Sequence, residues 1–338
     1  MKPTQSYYIA EKGFDDLFNA GVVRKDNEAM LDALGCKPLH FGRWKKKSLM
    51  AVVSRSFQVL AFFLKIEKNS LVFFHFPVRA IVYKWLLYLL KCRDVQTVAI
   101  IIDIDGLRDK DEPLLKKEIA LLERFSYLVA HNNAMKHFLM GYLPGATILT
   151  IDLFDYPFMG MPLKRKMDNT ICVAGDFKKA NFVYQLVNNN SLQYNLYGPG
   201  YDQTKNPLVN YKGIFSPGVL PSVIDGSFGL VWDGNSVDVC DAYLKYNNPH
   251  KLSLYLASGL PVIVWEQSAV AALVLHENIG ITIASIPEIE KKLSNISPQD
   301  YQAIQHNAMQ TGEKVRKGFF LKNVIEQIHQ LQCDKAST

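Results

Sequence analysis

The chain has 338 residues, 49% hydrophobic and 21% charged, with a formal net charge of +6. That length accommodates two domains, each large enough for its own core, and that composition excludes a disordered or low-complexity chain. No nucleic-acid partner is expected of it.

In chain order, strand-like runs alternate with helix-like runs, the pattern of an α/β protein with parallel sheets. Strands are expected at 6–10, 38–41, 71–76, 97–103, 127–131 and 147–153, and helices at 27–34, 49–66, 81–92, 114–125 and 134–141. The segment "YPFMGMPLKRKMD", with two prolines and a charge cluster, breaks the rhythm and reads as a linker. After it the rhythm restarts. Strands are expected at 170–174, 193–197, 228–232, 261–265 and 281–284. A helix is expected to follow "GDFKK" to Val187, and others fall at 249–258, 269–277 and 287–293, with a helical tail from Pro298. The domains expected are 1–155 and 169–318, joined by 156–168, with 319–338 as a final helix.

The most apolar stretches are interrupted by Arg55, and by His75, Pro77, Arg79 and Lys84, so no membrane span is expected. The start "MKPTQSYY" lacks the apolar core of a signal peptide. Five cysteines lie scattered without a C-x-x-C pair, which points to a reduced, cytoplasmic protein and no zinc site. The first 155 residues carry 22 lysines and arginines against 17 acids, the remainder 16 against 15. In that basic half "RWKKK" (Arg43–Lys47) is either a solvated face or a peripheral contact with an anionic surface, such as the inner face of a membrane.

Two open parallel sheets bind ligands beyond the carboxyl ends of their strands. There is no G-x-G-x-x-G, P-loop, H-E-x-x-H or G-x-S-x-G pattern, so dinucleotide oxidoreductases, P-loop phosphotransferases, zincins and α/β-hydrolases lose weight. The second half instead offers groups suited to a nucleoside diphosphate. "AGDFKK" brings Gly175, Lys178 and Lys179. "NLYGPG" places Tyr197 at a strand end, where its ring would stack on a base. "WDGN" adds Asp233. "NNPHK" puts Asn248 at a cap position, Pro249 at the first helical position and Lys251 in the first turn. A cation there opposes the helix dipole, and an anion bound at that end gives it a reason. Each has a plainer reading as a cap, a core ring or a surface lysine. In the first half, "DIDGLRD" brings Asp103 and Asp105 out at a strand end. A carboxylate there acts as a general base or pairs with Arg108. His75 is a second candidate base, and His131 a similar one.

"SFGLVWDG" and "YLKYNNPHKLSLYLASGLPVIVW" resemble the donor-domain signature of bacterial β-1,6-galactofuranosyltransferases and of the glucosyltransferases that act on serine-rich streptococcal adhesins. "DIDGLR", "HNNAMKHFL", "LFDYP", "AGDFKKANF", "NYKGIFSPGVLP" and "RKGFF" extend the resemblance along nearly the whole chain. It implies a GT-B fold, with two Rossmann-like domains with parallel sheets facing a central cleft. UDP-sugar then binds mainly to the C-terminal domain, and the last helix returns to the N-terminal one. It places UDP on Lys179, Tyr197 and Lys251, and the sugar or diphosphate near Asn19 and Gly21. The family often reads His-Asp-Leu where this chain has Ile102-Asp103-Ile104, which leaves Asp103 without a histidine beside it.

The expected activity is a UDP-sugar-dependent hexosyltransferase, galactofuranose first and glucose second, acting on a glycan, lipid-linked or glycoprotein hydroxyl. The resemblance implies inversion, with Asp103 as base, and no need for a metal or cofactor, with lysines and a helix end to stabilise the leaving diphosphate. "DID" spells a metal clamp but lies in the wrong domain to grip UDP. The related adhesin enzymes suggest a homo-oligomer. Two rival readings stand: a two-domain sugar-nucleotide epimerase, and a degenerate transferase serving as a partner subunit or glycan-binding module.

Overall fold

A computed structural model describes residues 5–11, 20–41, 49–163 and 165–337. Asn19 and the "RWKKK" segment lie outside the described residues. The chain divides into two compact units, one built on Val23–Ile151 with Leu321–Thr338 and the other on Asp152–Phe320.

The first unit holds a six-stranded parallel sheet. Its strands are β1 (Ser6–Glu11), β2 (Lys37–Phe41), β3 (Leu71–Phe76), β4 (Gln96–Ile101), β5 (Tyr127–Ala130) and β6 (Ile148–Thr150). They lie in the order β2-β1-β3-β4-β5-β6. Between them run α1 (Ala20–Ala33), α2 (Leu49–Lys65), α3 (Ile81–Lys91), α4 (Asp105–Arg108), α5 (Glu112–Leu122) and α6 (Asn133–Tyr142). β3 is buried at every residue, as expected of a central parallel strand covered on both faces. Asp111 and Asn132 cap α5 and α6 by accepting from the N–H groups of Leu114 and Met135.

The second unit repeats the plan with β7 (Thr170–Ala174), β8 (Gln193–Tyr197), β9 (Asn210–Gly213), β10 (Phe228–Val231), β11 (Val262–Trp265) and β12 (Gly280–Ile283). The order is β12-β11-β10-β7-β8-β9, all parallel, which is the Rossmann arrangement read from the other edge. Its helices are α7 (Leu220–Val223), α8 (His250–Ala257), α9 (Ala271–His276), α10 (Ile289–Ser294) and α11 (Pro298–Arg316); α12 (Phe319–Ser337) ends the chain.

Three expectations change. The α-helix expected after "GDFKK" is a single 3-10 turn, Asn181–Gln185. Asn181 and Gln185 there bond to Asn235 instead of continuing a helical ladder. β9 escaped the sequence reading because it is an edge strand, alternately exposed and half-buried, with no apolar run. The stretch after β6 has no regular structure, yet Tyr156 within it is buried. Its N–H donates to Val315 O at 3.1 Å and its hydroxyl to Pro217 O at 2.7 Å.

Candidate active site

In the second unit the chain order reverses between β7 and β10, which are neighbours in the sheet. Ligands of open α/β sheets sit at such a reversal, beyond the strand ends. The β7–β10 ladder covers only Ile171–Phe228 and Cys172–Gly229, so the strands part beyond it. Tyr255 of α8 fills the gap. Its hydroxyl accepts from Ala174 N–H at 2.7 Å and donates to Leu230 O at 3.2 Å. The ring needs Gly229, where a Cβ would lie 2.2 Å from it. Helix α8 is thereby bolted under the reversal, with its N-terminus brought to the strand ends.

Lys251, the second residue of α8, reaches that spot. Its Nζ donates to Trp232 O at 3.0 Å and to Asp233 Oδ1 at 2.7 Å, just past β10. Gly175 follows β7, and a Cβ built on it would lie 3.8 Å from the same ammonium. Gly175, Asp233 and Lys251, three residues singled out in the sequence, therefore converge. Among the described residues the ammonium has one carboxylate partner, Asp233, which could not be anticipated from the sequence.

Asn248 does not cap α8. The capping residue is Pro249, which supplies no side-chain hydrogen bond of its own to the helix start. Asn248 is buried one residue earlier, and its Nδ2 donates to Asp152 O at 2.8 Å. Proline at the cap shifts the helix start by one residue. Asn247 Oδ1 is buried and has no hydrogen-bond partner among the described residues. His250 stacks on Tyr156, ring centroids 5.1 Å apart.

Tyr197 is corrected more fully. It lies in the core, 2% exposed, with its hydroxyl accepting from Asp225 N–H at 2.9 Å. Burial raises its pKa. No face of the ring is open to a base. Position is the reason: the last residue of a central strand faces inward when the loop after it turns across the sheet end. That loop packs closely, for Gly175 N–H donates to Tyr197 O at 3.1 Å and Phe177 N–H to Pro199 O at 2.9 Å. Gly198, at φ +142°, permits it; a Cβ there would lie 1.9 Å from Gly175 O. Lys178 and Lys179 are exposed on the first of these loops.

In the first unit the reversal lies between β1 and β3. Gly21, buried in the first turn of α1, groups with the second unit and not with the first. His75, at the end of β3, is buried, and neither ring nitrogen has a hydrogen-bond partner among the described residues. Burial, with Arg24 adding to it, pushes its pKa well below the usual histidine range, so the ring is neutral. Asp103 emerges from the neighbouring β4. One of its oxygens accepts from Ile104 N–H at 3.1 Å and the other pairs with Arg108. Asp105 pairs with Arg79 at 2.7 Å and Arg108 at 3.0 Å. Buried Glu118 of α5 accepts from the N–H groups of Asp105 and Gly106 at 3.2 and 2.8 Å. Its burial raises its pKa, against those two donated bonds. Glu118 went unnoticed in the sequence because it reads there as one more polar helix position. The pairing with Arg108, weighed from the sequence as the plainer alternative for both aspartates, is the arrangement present. His131, buried after β5, bonds Ile101 O through Nε2 at 3.0 Å. Among the described residues no three His, Cys, Asp or Glu side chains cluster as metal ligands, and no helix is long and apolar enough to cross a membrane.

Known proteins carry the same two halves. Residues 7–142 match the Glucosyltransferase 3-like N-terminal domain and residues 171–328 the Glucosyltransferase 3-like C-terminal domain, so the pair spans most of the chain in order. The chain is 29% identical to beta-1,6-galactofuranosyltransferase WbbI of Escherichia coli (strain K12) over 287 residues, 81% of this chain and 83% of that one. It is 29% identical to glucosyltransferase 3 of Streptococcus gordonii over 133 residues, 38% of this chain and 40% of that one. Among solved structures, Anabaena HepE in complex with UDP and glucose superposes with a TM-score of 0.64 at 10% identity, covering 97% of this chain and all (100%) of that one. Sucrose-phosphate synthase from Thermosynechococcus elongatus does so at 0.64 and 14%, covering 99% of both. With two parallel Rossmann-like sheets and these relatives, the chain belongs to the glucosyltransferase 3-like family and is a glycosyltransferase of the GT-B fold class.

Proposed function

We propose that the chain transfers a hexose, galactofuranose or glucose, from a UDP-sugar to a hydroxyl of a glycan, lipid-linked or glycoprotein acceptor. The observation that carries this reading is the meeting of Lys251, Gly175 and the N-terminus of α8 at the β7–β10 reversal. An ammonium, a glycine beside it and a helix N-terminus are the parts a leaving diphosphate needs. Charge grows on that diphosphate as the anomeric carbon loses it, and a pre-placed cation and helix end stabilise the change without reorganising. The unpartnered Oδ1 of Asn247 suits a donor hydroxyl of ribose or sugar. Exposed Lys179 is free to turn toward the phosphates.

In this reading the acceptor is deprotonated by Asp103, with inversion at the anomeric carbon. Its carboxylate is aimed by Arg108 and Ile104 N–H. His75, neutral and without a hydrogen-bond partner among the described residues, stands on the neighbouring strand end as the second candidate, and its burial makes it the weaker base. The transfer is metal-independent, because the lysines and the helix end take the place of a cation on the diphosphate.

The test is calorimetric titration of the purified chain with UDP, UDP-galactofuranose and UDP-glucose, followed by transfer assays with and without EDTA. Binding of UDP with added affinity for one sugar nucleotide, and transfer unaffected by EDTA, is the expected outcome. No binding of any uridine nucleotide would overturn the donor reading. Loss of transfer with EDTA, restored by Mg²⁺ or Mn²⁺, would overturn the metal-independent one. Interconversion of sugar nucleotides without acceptor would favour an epimerase.

A further inference from the structure

Helices α2 and α3 each leave an apolar stripe in water. On α2, Val53, Phe57, Leu60 and Leu64 are 47%, 68%, 49% and 64% exposed. They recur at i, i+4, i+7 and i+11, so they share one narrow face of the helix. On α3, Ile81, Trp85 and Tyr88 repeat the spacing at 59%, 39% and 44% exposure. The helices are held by their other faces. Val59 and Ile66 are buried on the α2 side, Leu86 and Leu90 on the α3 side, and Phe41 packs edge-on against both Phe62 and Tyr83. The exposed stripes therefore lie outside the buried core of this unit.

The charge on the two helices themselves has one sign, and Glu67 and Asp94 lie just past their ends. Neither helix contains an aspartate or glutamate, while Arg55, Lys65, Lys84 and Lys91 are basic. Lys84 and Lys91, seven residues apart, line the same flank of α3 beside Tyr88, and the Arg124 guanidinium lies 4.6 Å from the Tyr88 ring centre. Trp and Tyr, apolar in body and polar at the tip, suit a boundary between hydrocarbon and water.

We propose that this face seats on an anionic lipid bilayer, with α2 and α3 lying in the plane of the headgroups. Apolar side chains enter the acyl boundary while the lysines meet lipid phosphates, the arrangement of interfacial amphipathic helices. Neither helix can span, since no helix among the described residues is long and apolar enough. A second copy of the chain fits less well. A two-fold contact sets the same patch against itself, so the cations of α2 and α3 would meet their own counterparts with no carboxylate from either helix to pair them. The proposal does not depend on which sugar is moved or on what, and it is read without any transfer assay.

The experiment is vesicle flotation of the full chain on phosphatidylcholine containing phosphatidylglycerol and on phosphatidylcholine alone. Two variants accompany it, Phe57→Gln with Leu64→Gln, and Lys84→Gln with Lys91→Gln. All four side chains lie outside the core, so melting temperature and UDP binding should be unchanged, which separates this outcome from failure of the donor site. Binding to anionic vesicles, weakened by salt and reduced about tenfold or more in each double variant, is expected. Absence of binding to anionic vesicles, equal binding to neutral ones, or undiminished binding of the variants would overturn the proposal. A dimer by light scattering that the Phe57→Gln/Leu64→Gln variant turns into a monomer would assign the face to a second copy instead.

Discussion

Lys251 stands in the first turn of α8, where the dipole disfavours a cation, and in the ligand-free chain Asp233 balances it at 2.7 Å. A diphosphate would share or take over that ammonium. Lys251→Ala should weaken UDP binding by roughly 10–150-fold, the loss of one charge-assisted contact, as measured by calorimetric titration. Stability without ligand should fall by about 1 kcal/mol or less, since Asp233 is 38% exposed and rehydrates once unpaired. Unchanged UDP affinity would remove Lys251 from the site. With Asp103 as the proposed base, Asp103→Asn should lower kcat by roughly 10²–10⁴-fold and leave UDP affinity near its original value. Steady-state kinetics with acceptor varied decides this. A full rate in that variant passes the role to His75, and a collapse of UDP affinity makes Asp103 structural.

At the scale of elements, α8 is the piece on which the proposed donor site hangs. Its sequence brackets are local: Pro249 at the start, Gly259 at φ +73° after the end, then Pro261. Its place is set by contacts far along the chain. Ser253 Oγ donates to Phe154 O at 2.6 Å, and the Tyr255 hydroxyl joins β7 to β10 where their ladder has ended. Tyr255→Phe leaves Ala174 N–H and Leu230 O without that partner in a fully buried seam. It should cost about 1–3 kcal/mol in denaturant unfolding of the whole chain. UDP affinity should also drop, because α8 would no longer be fixed to the strand ends. Loss of stability with full UDP affinity would mean that the seam does not position the site.

For the molecule as a whole, the first unit carries an acid-sensitive core. His131 is buried and its pKa is lowered to about 4, chiefly by burial, with the ring's hydrogen bonds to the backbone of Ile101 and Ile102 opposing the shift. The unfolded chain takes up its proton near the ordinary value of 6.5, while the folded chain takes it up only near 4. Between those values the unfolded state binds more protons, so stability falls as pH falls through that window. The loss from this one group is on the order of 3 kcal/mol. His75, also held neutral by burial, acts in the same direction. His131→Gln should flatten the fall in melting temperature between about pH 6.5 and pH 4. An unaltered slope would place the acid sensitivity in other groups.

The sequence by itself determined the architecture. Buried strands such as "LVFF" and "VIVW", separated by amphipathic helices, can satisfy both faces only in covered parallel sheets, and two such series make two units. It also located the loops at the strand ends, because strand ends can be read from where the apolar runs stop. Helix α8 was legible because its proline and glycine act on their own neighbours. Only the tertiary structure decided partners. Lys251 meets a carboxylate 18 residues earlier, Asn248 a carbonyl 96 residues earlier, and Glu118 two amides on a different helix. It also decided that Tyr197 lies inward, since that depends on how two loops stack across a sheet end. The physical reason is common to all of these. Periodicity and capping are interactions within a few residues, whereas the strand order that brings β7 beside β10 sets which distant groups share a site.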